Sequence, residues 1–370
     1  MLWLMLCAAL AAPRADAVAE VSAPTRDPAR ARLVFVGDSG MAPGDDDCTW
    51  RGDGSAAADC AISVSERDRL RASIAAVQPD AIYALGDLVY PMAPRCRRVT
   101  GAAARTLDRA IGDLYDDLAA PVWLVLGNHD LGHVRVSSAR LRCLQRYAAA
   151  RAHLRLPAPQ ARVDHGLASV VVMNSNLRRQ AQLPASAVRD ATADGDWVLV
   201  AAHHELRAAF EKLREGPWEP PPPGRWLVAE DLHPHLWANG HAHTLQVGAY
   251  DARVADGGAA HGGPERPVLA LTSGAGSKLR AHPSCGPGAP ATDRAACRAP
   301  HPRGMPAFSL SRFGFAVVEV EPDTLTVWVL DLDGQPRHAW TRTRDAVGGP
   351  IALTAPPWDA HPSPDSPEPP

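Results

Sequence analysis

Five short apolar runs in this chain each end in a residue that can bind a metal ion. Apolar runs of four to six residues that end in a glycine or a polar cluster are typical of buried β-strands. In open α/β sheets, ligands bind in the crevice beyond the carboxyl ends of the strands. The polar groups that follow the five runs are therefore expected to share one crevice; they begin at Asp38, Asp87, Asn128, His203 and His241.

The polar cluster after the run 122–126 is the first that packing does not explain. A single aspartate after a strand, such as Asp38, is by itself most often a turn residue. Here Asn128, His129 and Asp130 follow one strand together. Asparagine is a poor strand residue and is costly to bury without partners. The cluster therefore indicates a functional site.

His241 and His243 form the second informative group. Residues i and i+2 of an extended segment face the same side, so these two imidazoles can reach two neighbouring ions. A single His-x-His sequence is often only a surface pair. This one follows the apolar run 236–239 and a glycine, which favours metal ligation.

The apolar pattern changes its character along the chain. In the first part, apolar runs alternate with helical patterns, and Ser63 and Glu66 form a capping box at the start of one helix. In the second part, strand-like runs follow one another, and Pro322-Asp323 marks a hairpin turn. This order predicts a mixed α/β fold, and the absence of a composition break inside 32–345 predicts one domain there. The predicted helices are 63–77, 104–118 and 137–151, and the predicted later strands are 247–254, 268–272, 313–320 and 325–330.

The net charge and the two terminal segments indicate which partners are excluded and where the protein is located. A net charge of −3 argues against a general nucleic-acid binder or a polybasic membrane binder. The uncharged, apolar residues 1–12, followed by Ala15-Asp16-Ala17, resemble a signal peptide, which predicts cleavage after residue 17 and a secreted or periplasmic protein. A wrongly assigned start or a short anchor is the alternative, but the segment is short for a membrane span, so no stable insertion is expected. The Pro-rich residues 352–370 are predicted to be a disordered tail.

Six cysteines follow the leader and are consistent with export. Cys48 and Cys60 flank a loop of small residues, as do Cys285 and Cys297, so each pair is expected to form a local disulfide. Cys96 and Cys143 then remain. Six cysteines allow fifteen pairings, so the connectivity stays open. No C-x-x-C spacing is present, which argues against a zinc site.

Two charged segments have an open role. Residues 92–105 are basic and carry four arginines near Cys96: Arg95, Arg97, Arg98 and Arg105. They can meet an anionic substrate at the rim of the crevice or be ordinary surface. The acidic triplet at 45–47 can bind a cation, but a solvated loop is the simpler interpretation.

Taken in order, the polar groups form a specific set of motifs: G-D-x-G at 37–40, G-D-x-x-Y at 86–90, G-N-H-D at 127–130, x-x-H at 201–203 and G-H-x-H at 240–243. This set resembles the calcineurin-like metallophosphoesterases and, within them, the small, tartrate-resistant purple acid phosphatases. Many relatives have a histidine where this chain has Gly40, and Tyr90 is similar to the ligand that replaces it. The resemblance covers residues 32–330 and implies a four-layer α/β/β/α sandwich of two mixed sheets flanked by helices.

The resemblance also implies a ligand set for two metal ions, with Asp87 shared between them. The first metal takes Asp38, Asp87, Tyr90 and His243; the second takes Asp87, Asn128, His203 and His241. A phenolate and two carboxylates form a hard, anionic site that favours Fe(III), and the second set suits Fe(II), Zn or Mn. Such a pair can clamp an in-line phosphoryl displacement and supply a metal-bound hydroxide as the nucleophile even in acid.

Three further residues take roles in the reaction by the same resemblance. His129 is expected to be the general acid for the leaving group, with Asp130 orienting it, and His204 is expected to touch the substrate. Small family members usually have Tyr-Pro where this chain has His204-Glu205. The implied function is hydrolysis of small phosphate monoesters by an acid phosphatase. The alternatives are a phosphodiesterase or nucleotide-directed enzyme and a non-catalytic binding protein. The sequence does not indicate the oligomeric state.

Overall fold

The computed structural model describes residues 19–23, 25–43, 48, 60–132, 136–157, 160–176, 185–206, 226–227, 230–250, 268–280, 308–346 and 348–353. Four predictions fall on other residues. The signal peptide, the acidic triplet at 45–47, the pair Cys285 and Cys297, and all but the first two residues of the 352–370 tail lie outside the described residues.

Eighteen strands are described. In chain order they are β1 (Ala19–Ser22), β2 (Ala31–Val36), β3 (Cys60–Ala61), β4 (Ala81–Ala84), β5 (Val122–Leu124), β6 (Leu154–Arg155), β7 (Gln160–Asp164), β8 (Ala168–Met173), β9 (Trp197–Ala201), β10 (Leu236–Asn239), β11 (Leu245–Tyr250), β12 (Val268–Ser273), β13 (Lys278–Leu279), β14 (Phe308–Leu310), β15 (Gly314–Val320), β16 (Thr324–Asp331), β17 (Pro336–Thr343) and β18 (Gly349–Pro350).

The helices of the described residues are short. They are α1 (Val64–Val77), α2 (Gly101–Leu107), α3 (Asp113–Tyr115), α4 (Asn128–Leu131), α5 (Ser138–Ala149) and α6 (Ala185–Ala193), with a π-helical turn (Asp108–Gly112) between α2 and α3. The capping box at the start of α1 is confirmed: the Ser63 hydroxyl accepts the Glu66 N–H, and the Glu66 carboxylate accepts the Ser63 N–H.

The strands form two large mixed sheets. Sheet I has the order β18-β17-β16-β15-β2-β4-β5-β6; β2, β4, β5 and β6 are parallel to one another and the other strands are antiparallel. Sheet II has the order β1-β7-β8-β9-β10-β12-β11-β14, and its central strands β8, β9, β10 and β12 are parallel. The short strands β3 and β13 pair separately.

The sheets stack face to face because both faces of their central strands are apolar. In β9, Trp197, Leu199 and Ala201 belong to the core between the sheets, whereas Val198 and Val200 pack with α6. Successive strand residues point to opposite faces, so a continuous apolar run covers both. Helices α1, α3 and α5 lie on the side of sheet I. The predicted four-layer α/β/β/α sandwich is confirmed.

The predicted helix at 104–118 is wrong in detail, because α2 ends at Leu107 and a π-helical turn follows. A Cβ on Gly112 would lie 2.9 Å from the Asp116 carboxylate and 3.0 Å from the Tyr147 hydroxyl. Gly112, the last residue of the π-helical turn, thus lies in close contact with Tyr147 of α5.

Two disulfides are present in the described part of the chain. Cys48 is bonded to Cys60 and Cys96 to Cys143, with Cα–Cα distances of 5.4 and 5.1 Å, as expected for these four cysteines. Both are compatible with a secreted protein. Among the described helices, none has the length and apolar character needed to span a bilayer.

Candidate metal centre

Strand ends from both sheets converge on one buried site. Sheet I contributes the residues that follow β2, β4 and β5, and sheet II contributes those that follow β9 and β10 or precede β11. The structure brings together all seven residues predicted to bind metal: Asp38, Asp87, Tyr90, Asn128, His203, His241 and His243.

Four donor atoms form a first cluster around the Tyr90 hydroxyl. Its oxygen lies 2.8 Å from Asp38 Oδ1, 2.8 Å from Asp87 Oδ2 and 3.3 Å from His243 Nε2. His243 Nε2 is also 3.3 Å from Asp38 Oδ1. Three of the four donors are oxygens, two of them from carboxylates.

A second cluster surrounds His203 Nε2. This nitrogen lies 2.9 Å from Asn128 Oδ1, 3.2 Å from His241 Nδ1 and 3.3 Å from Asp87 Oδ1. Asp87 therefore presents one carboxylate oxygen to each cluster, which is the position of a ligand shared by two ions.

The spacing of the donors fits metal ions. Adjacent ligands bound at about 2.1 Å and at right angles to each other are separated by about 3.0 Å. The donor separations given above run from 2.8 to 3.3 Å. The first donor set is hard and anionic, and the second mixes imidazole nitrogens with neutral and anionic oxygens. Both sets fit a dinuclear metal centre.

The backbone is strained where it presents these ligands. Asp38, Asp87, His241 and His243 all have positive φ angles, between 53° and 69°, a region that residues other than glycine rarely adopt. Strain of this kind is typical of functional sites, where the surrounding structure holds side chains in fixed directions.

Glycines of the sequence motifs let other segments approach the ligands closely. A Cβ on Gly127 would lie 2.3 Å from Asp87 Oδ1, and one on Gly240 would lie 2.7 Å from Asp38 Oδ2. No larger residue fits at either position without moving a carboxylate.

Backbone groups fix the orientation of the ligands. A carbonyl oxygen only accepts hydrogen bonds, so His203 must donate from Nδ1 to the Leu85 carbonyl, 2.9 Å away. This leaves the lone pair of the neutral ring on Nε2, facing the second cluster. The N–H of His241 donates to Asp38 Oδ2 at 2.7 Å, and the N–H of His129 donates to Asp87 Oδ1 at 2.9 Å.

Burial and close charges shift the acidities of these groups strongly. Burial, together with the Asp38 and Asp87 carboxylates, raises the pKa of Tyr90 well above its usual value. Burial opposes the charge of Asp87, but His203, His129 and His241 bring its pKa well below the usual range. A cation among these oxygens would favour the phenolate and offset the repulsion between the anionic ligands.

His129 lies beside the centre rather than in it. Its Nε2 is 3.8 Å from Asp87 Oδ2, and its ring packs at 4.4 Å from the Tyr90 ring. Its Nδ1 donates to the Pro91 carbonyl at 2.5 Å. The side chain is 20% exposed, so a substrate can reach it.

The expectation that Asp130 orients His129 is corrected by the structure. Both carboxylate oxygens of Asp130 accept backbone N–H groups, from Leu88 at 2.9 Å and from Gly127 at 2.7 Å. The carbonyl of Pro91, and not this carboxylate, faces His129 Nδ1. Asp130 is fully buried and joins the segments that carry Asp87 and Asn128.

His204 lies at the edge of the second cluster. One of its ring nitrogens is within 4.8 Å of ring nitrogens of His203 and His241. Its Nδ1 is 2.8 Å from the Ser175 hydroxyl, which already accepts the backbone N–H groups of His203 at 3.3 Å and His204 at 3.0 Å. A hydroxyl has two lone pairs and one hydrogen, so Ser175 donates to Nδ1. The proton of the neutral His204 ring is therefore on Nε2, the opposite of His203.

Sequence reasoning missed two residues of this site, Ser175 and Lys278. Ser175 follows β8 within the polar sequence Asn174-Ser175-Asn176, and that sequence after an apolar run was the available signal. Lys278 places its Nζ 4.8 Å from the centre of the Tyr90 ring. A cation over this ring stabilises a phenolate.

Comparison with known families gives one match, to a model described as calcineurin-like phosphoesterase, over residues 31–245. The matched segment begins at β2 and ends at the first residue of β11, so it includes every donor of both clusters. No curated protein sequence matches the chain.

Solved structures share the fold at low sequence identity. The purple acid phosphatase PPD1 from yellow lupin (Lupinus luteus) seeds matches with a TM-score of 0.54 and 15% identity over 88% of this chain. The match spans 57% of the lupin protein. GAP50, the anchor in the inner membrane complex of Plasmodium, matches with a TM-score of 0.52 and 13% identity, over 86% of this chain and 89% of GAP50.

Proposed function

The chain belongs to the calcineurin-like phosphoesterase family, and from this premise we propose that it is an acid phosphatase of the purple, small tartrate-resistant type. The observation that carries the proposal is the position of Asp87, with one oxygen in each of two donor clusters whose spacing fits metal ions. A complete donor set favours hydrolysis over a non-catalytic binding protein.

The donor chemistry supports Fe(III) in the first cluster and Fe(II), Zn or Mn in the second. Tyr90, Asp38 and Asp87 would hold the trivalent ion with His243, and Asn128, His203 and His241 would hold the divalent ion with Asp87. When bound, such a pair supplies Lewis acidity and lowers the pKa of water. The two disulfides and the predicted leader support a secreted or periplasmic enzyme.

The reaction we propose is hydrolysis of a phosphate monoester. The oxygen of water forms a bond to phosphorus, the bond from phosphorus to the leaving oxygen breaks, and that oxygen takes the electron pair and a proton. His129, next to Asp87 and partly exposed, is placed to supply this proton. His204, with its proton on Nε2, is placed to donate a hydrogen bond to a phosphoryl oxygen.

Metal analysis combined with two substrates tests the proposal. The purified protein is expected to contain two metal ions per chain, one of them iron, and to cleave p-nitrophenyl phosphate faster than its bis ester. Faster cleavage of the bis ester would assign a phosphodiesterase instead. Absence of bound metal, or of cleavage of either ester, would overturn the proposed function.

His129→Ala is expected to lower kcat by about 100- to 10,000-fold, the usual contribution of a positioned general acid. Metal content is expected to stay near that of the wild type, because the His129 imidazole comes no closer than 3.8 Å to Asp87 Oδ2 and is not within either donor cluster. The backbone N–H of residue 129, which donates to Asp87 Oδ1, is kept in the alanine variant. Steady-state kinetics and metal analysis on the same preparation check both statements. Loss of metal together with activity would make His129 a structural support of the centre.

His204→Ala is expected to lower kcat/KM by about 10- to 100-fold, the effect of one lost hydrogen bond to a charged group. His204→Gln, which keeps an N–H near the position of Nε2, should recover part of this loss. Ser175→Ala should lower kcat/KM by less than His204→Ala does. Ser175→Thr, which keeps the hydroxyl, should leave kcat/KM unchanged. Steady-state kinetics with p-nitrophenyl phosphate check these statements, and metal content is the control. Equal kcat/KM of His204→Ala and the wild type would show that His204 does not contact the substrate.

A further inference from the structure

A strongly basic face lies next to the metal centre. The segments 91–107 and 136–157 contain no aspartate or glutamate but nine arginines, although the whole chain has a net charge of −3. The Cys96–Cys143 disulfide joins the two segments. We define the basic face as Arg95, Arg97, Arg98, Arg140, Arg142 and Arg146.

Two arginines of the basic face, Arg140 and Arg146, bind backbone carbonyls of the loop that carries Arg95, Arg97 and Arg98. Arg140 donates from Nε to the Ala93 carbonyl at 2.8 Å, and Arg146 donates from Nη1 to the Cys96 carbonyl at 3.3 Å. Within the described residues, none of the six forms an ion pair with a carboxylate. All are exposed except Arg140, which is half-buried. Arginines elsewhere behave differently: Arg69 pairs with Asp333, and Arg189 pairs with Glu230.

The basic face is continuous with the site through the loop that follows Tyr90. The Pro91 carbonyl accepts a hydrogen bond from His129 Nδ1 at 2.5 Å, and the Ala93 N–H donates to the His129 carbonyl at 3.0 Å. Arg95 is five residues beyond Tyr90, so the Cα atoms of the two residues are at most about 18 Å apart even along an extended chain. The loop thus runs from the metal centre, past His129, into the basic face.

The basic face lies on the same side of the metal centre as His129, and this determines which part of a substrate would meet the arginines. His129 is placed to protonate the leaving oxygen, so the leaving group lies on its side of the centre. Six guanidinium groups that have no carboxylate partner in the described part of the chain attract anions, and a guanidinium group can bind two phosphate oxygens at once. A neutral leaving group would gain nothing from such a surface.

We propose that the basic face binds the leaving-group part of a polyphosphorylated substrate, while the terminal phosphoryl group is at the metal centre. This rests on the proposed function and narrows its substrate class to esters or anhydrides whose leaving group carries further phosphates. For a polyphosphate chain, water adds its oxygen to the terminal phosphorus. The bridging P–O bond breaks, and the bridging oxygen leaves on the shortened chain with the electron pair and a proton.

The test compares a triple variant, Arg95→Ser with Arg97→Ser and Arg98→Ser, with a matched control that removes three exposed arginines from other surfaces. The control is Arg26→Ser with Arg69→Ser and Arg189→Ser, which has the same net charge. Exposed ion pairs contribute little to stability, so the control is expected to fold. The first readout is the ratio of kcat/KM for medium-chain inorganic polyphosphate to kcat/KM for p-nitrophenyl phosphate. The second, independent of turnover, is the salt concentration that elutes the full chain from phosphocellulose.

The triple variant is expected to lower the ratio at least tenfold and to elute at lower salt than the control. A ratio and an elution that match those of the control would overturn the inference while leaving the phosphatase assignment intact. The same ratio can be measured with an acidic phosphopeptide in place of polyphosphate. If the triple variant lowers the phosphopeptide ratio but not the polyphosphate ratio, the inference is overturned in favour of a protein substrate. If no ester is cleaved, the proposed function fails, and the elution comparison still decides whether this face binds phosphate groups.

Discussion

Asp87→Ala is expected to abolish phosphatase activity, with a decrease of at least about 1,000-fold, since loss of a single oriented electrostatic contact already costs 100- to 1,000-fold. The reason is the double role of this side chain. Its Oδ2 is 2.8 Å from the Tyr90 hydroxyl in the first cluster, and its Oδ1 is 3.3 Å from His203 Nε2 in the second. One substitution therefore removes a donor from both ions.

Metal analysis separates this explanation from simple unfolding. The Asp87→Ala protein is expected to bind less of both metals, whereas loss of any ligand that serves one ion should mainly deplete that ion. Asp80→Ala is the matched control, because Asp80 stands just before the same strand β4, at the end away from the site, where it accepts the N–H groups of Arg26 and Arg32. An Asp87→Ala protein with wild-type metal content and turnover would contradict the shared-ligand arrangement.

The strand ends of the site were predictable from the sequence because they depend on local pattern. A buried parallel strand needs a continuous apolar run, and the first polar residues after it must emerge at the edge of the sheet. Asp38, Asp87 and His203 follow this rule, and their convergence follows from the parallel order of β2 with β4 and of β9 with β10. The family resemblance supplied the grouping into two clusters.

Other parts of the structure depend on contacts that no local pattern encodes. The partners of Asp130 are backbone N–H groups of Leu88 and Gly127. The sequence shows only a carboxylate two residues after a metal ligand, and it does not show which group this carboxylate binds. Ser175 reaches His204 only because β8 and β9 are adjacent in sheet II. Strand β17 was missed because its buried residues include His338 and Arg342 as well as Ala339 and Trp340. The sequence therefore shows no alternation of apolar and polar residues there.

Tyr90→Phe is expected to bleach the protein. A phenolate bound to Fe(III) gives a charge-transfer band that makes such a protein pink to violet, and phenylalanine has no oxygen to bind the ion. Tyr90 Oη lies 2.8 Å from oxygens of both Asp38 and Asp87. The hydroxyls of Tyr83, Tyr115 and Tyr147 bind other partners, namely His165, Ser39 and Asp108. The wild-type visible band should disappear completely, while the second cluster keeps all four of its donors.

The visible absorption spectrum, recorded beside iron content, decides this prediction. His129→Ala is the control for packing, because the His129 ring contacts the Tyr90 ring at 4.4 Å but lies outside the donor set, so its protein should stay coloured. A coloured Tyr90→Phe protein would place the iron on another ligand. A colourless, active wild-type protein without iron would remove Fe(III) from the first cluster, and the hard donors Asp38, Asp87 and Tyr90 would then hold a different cation.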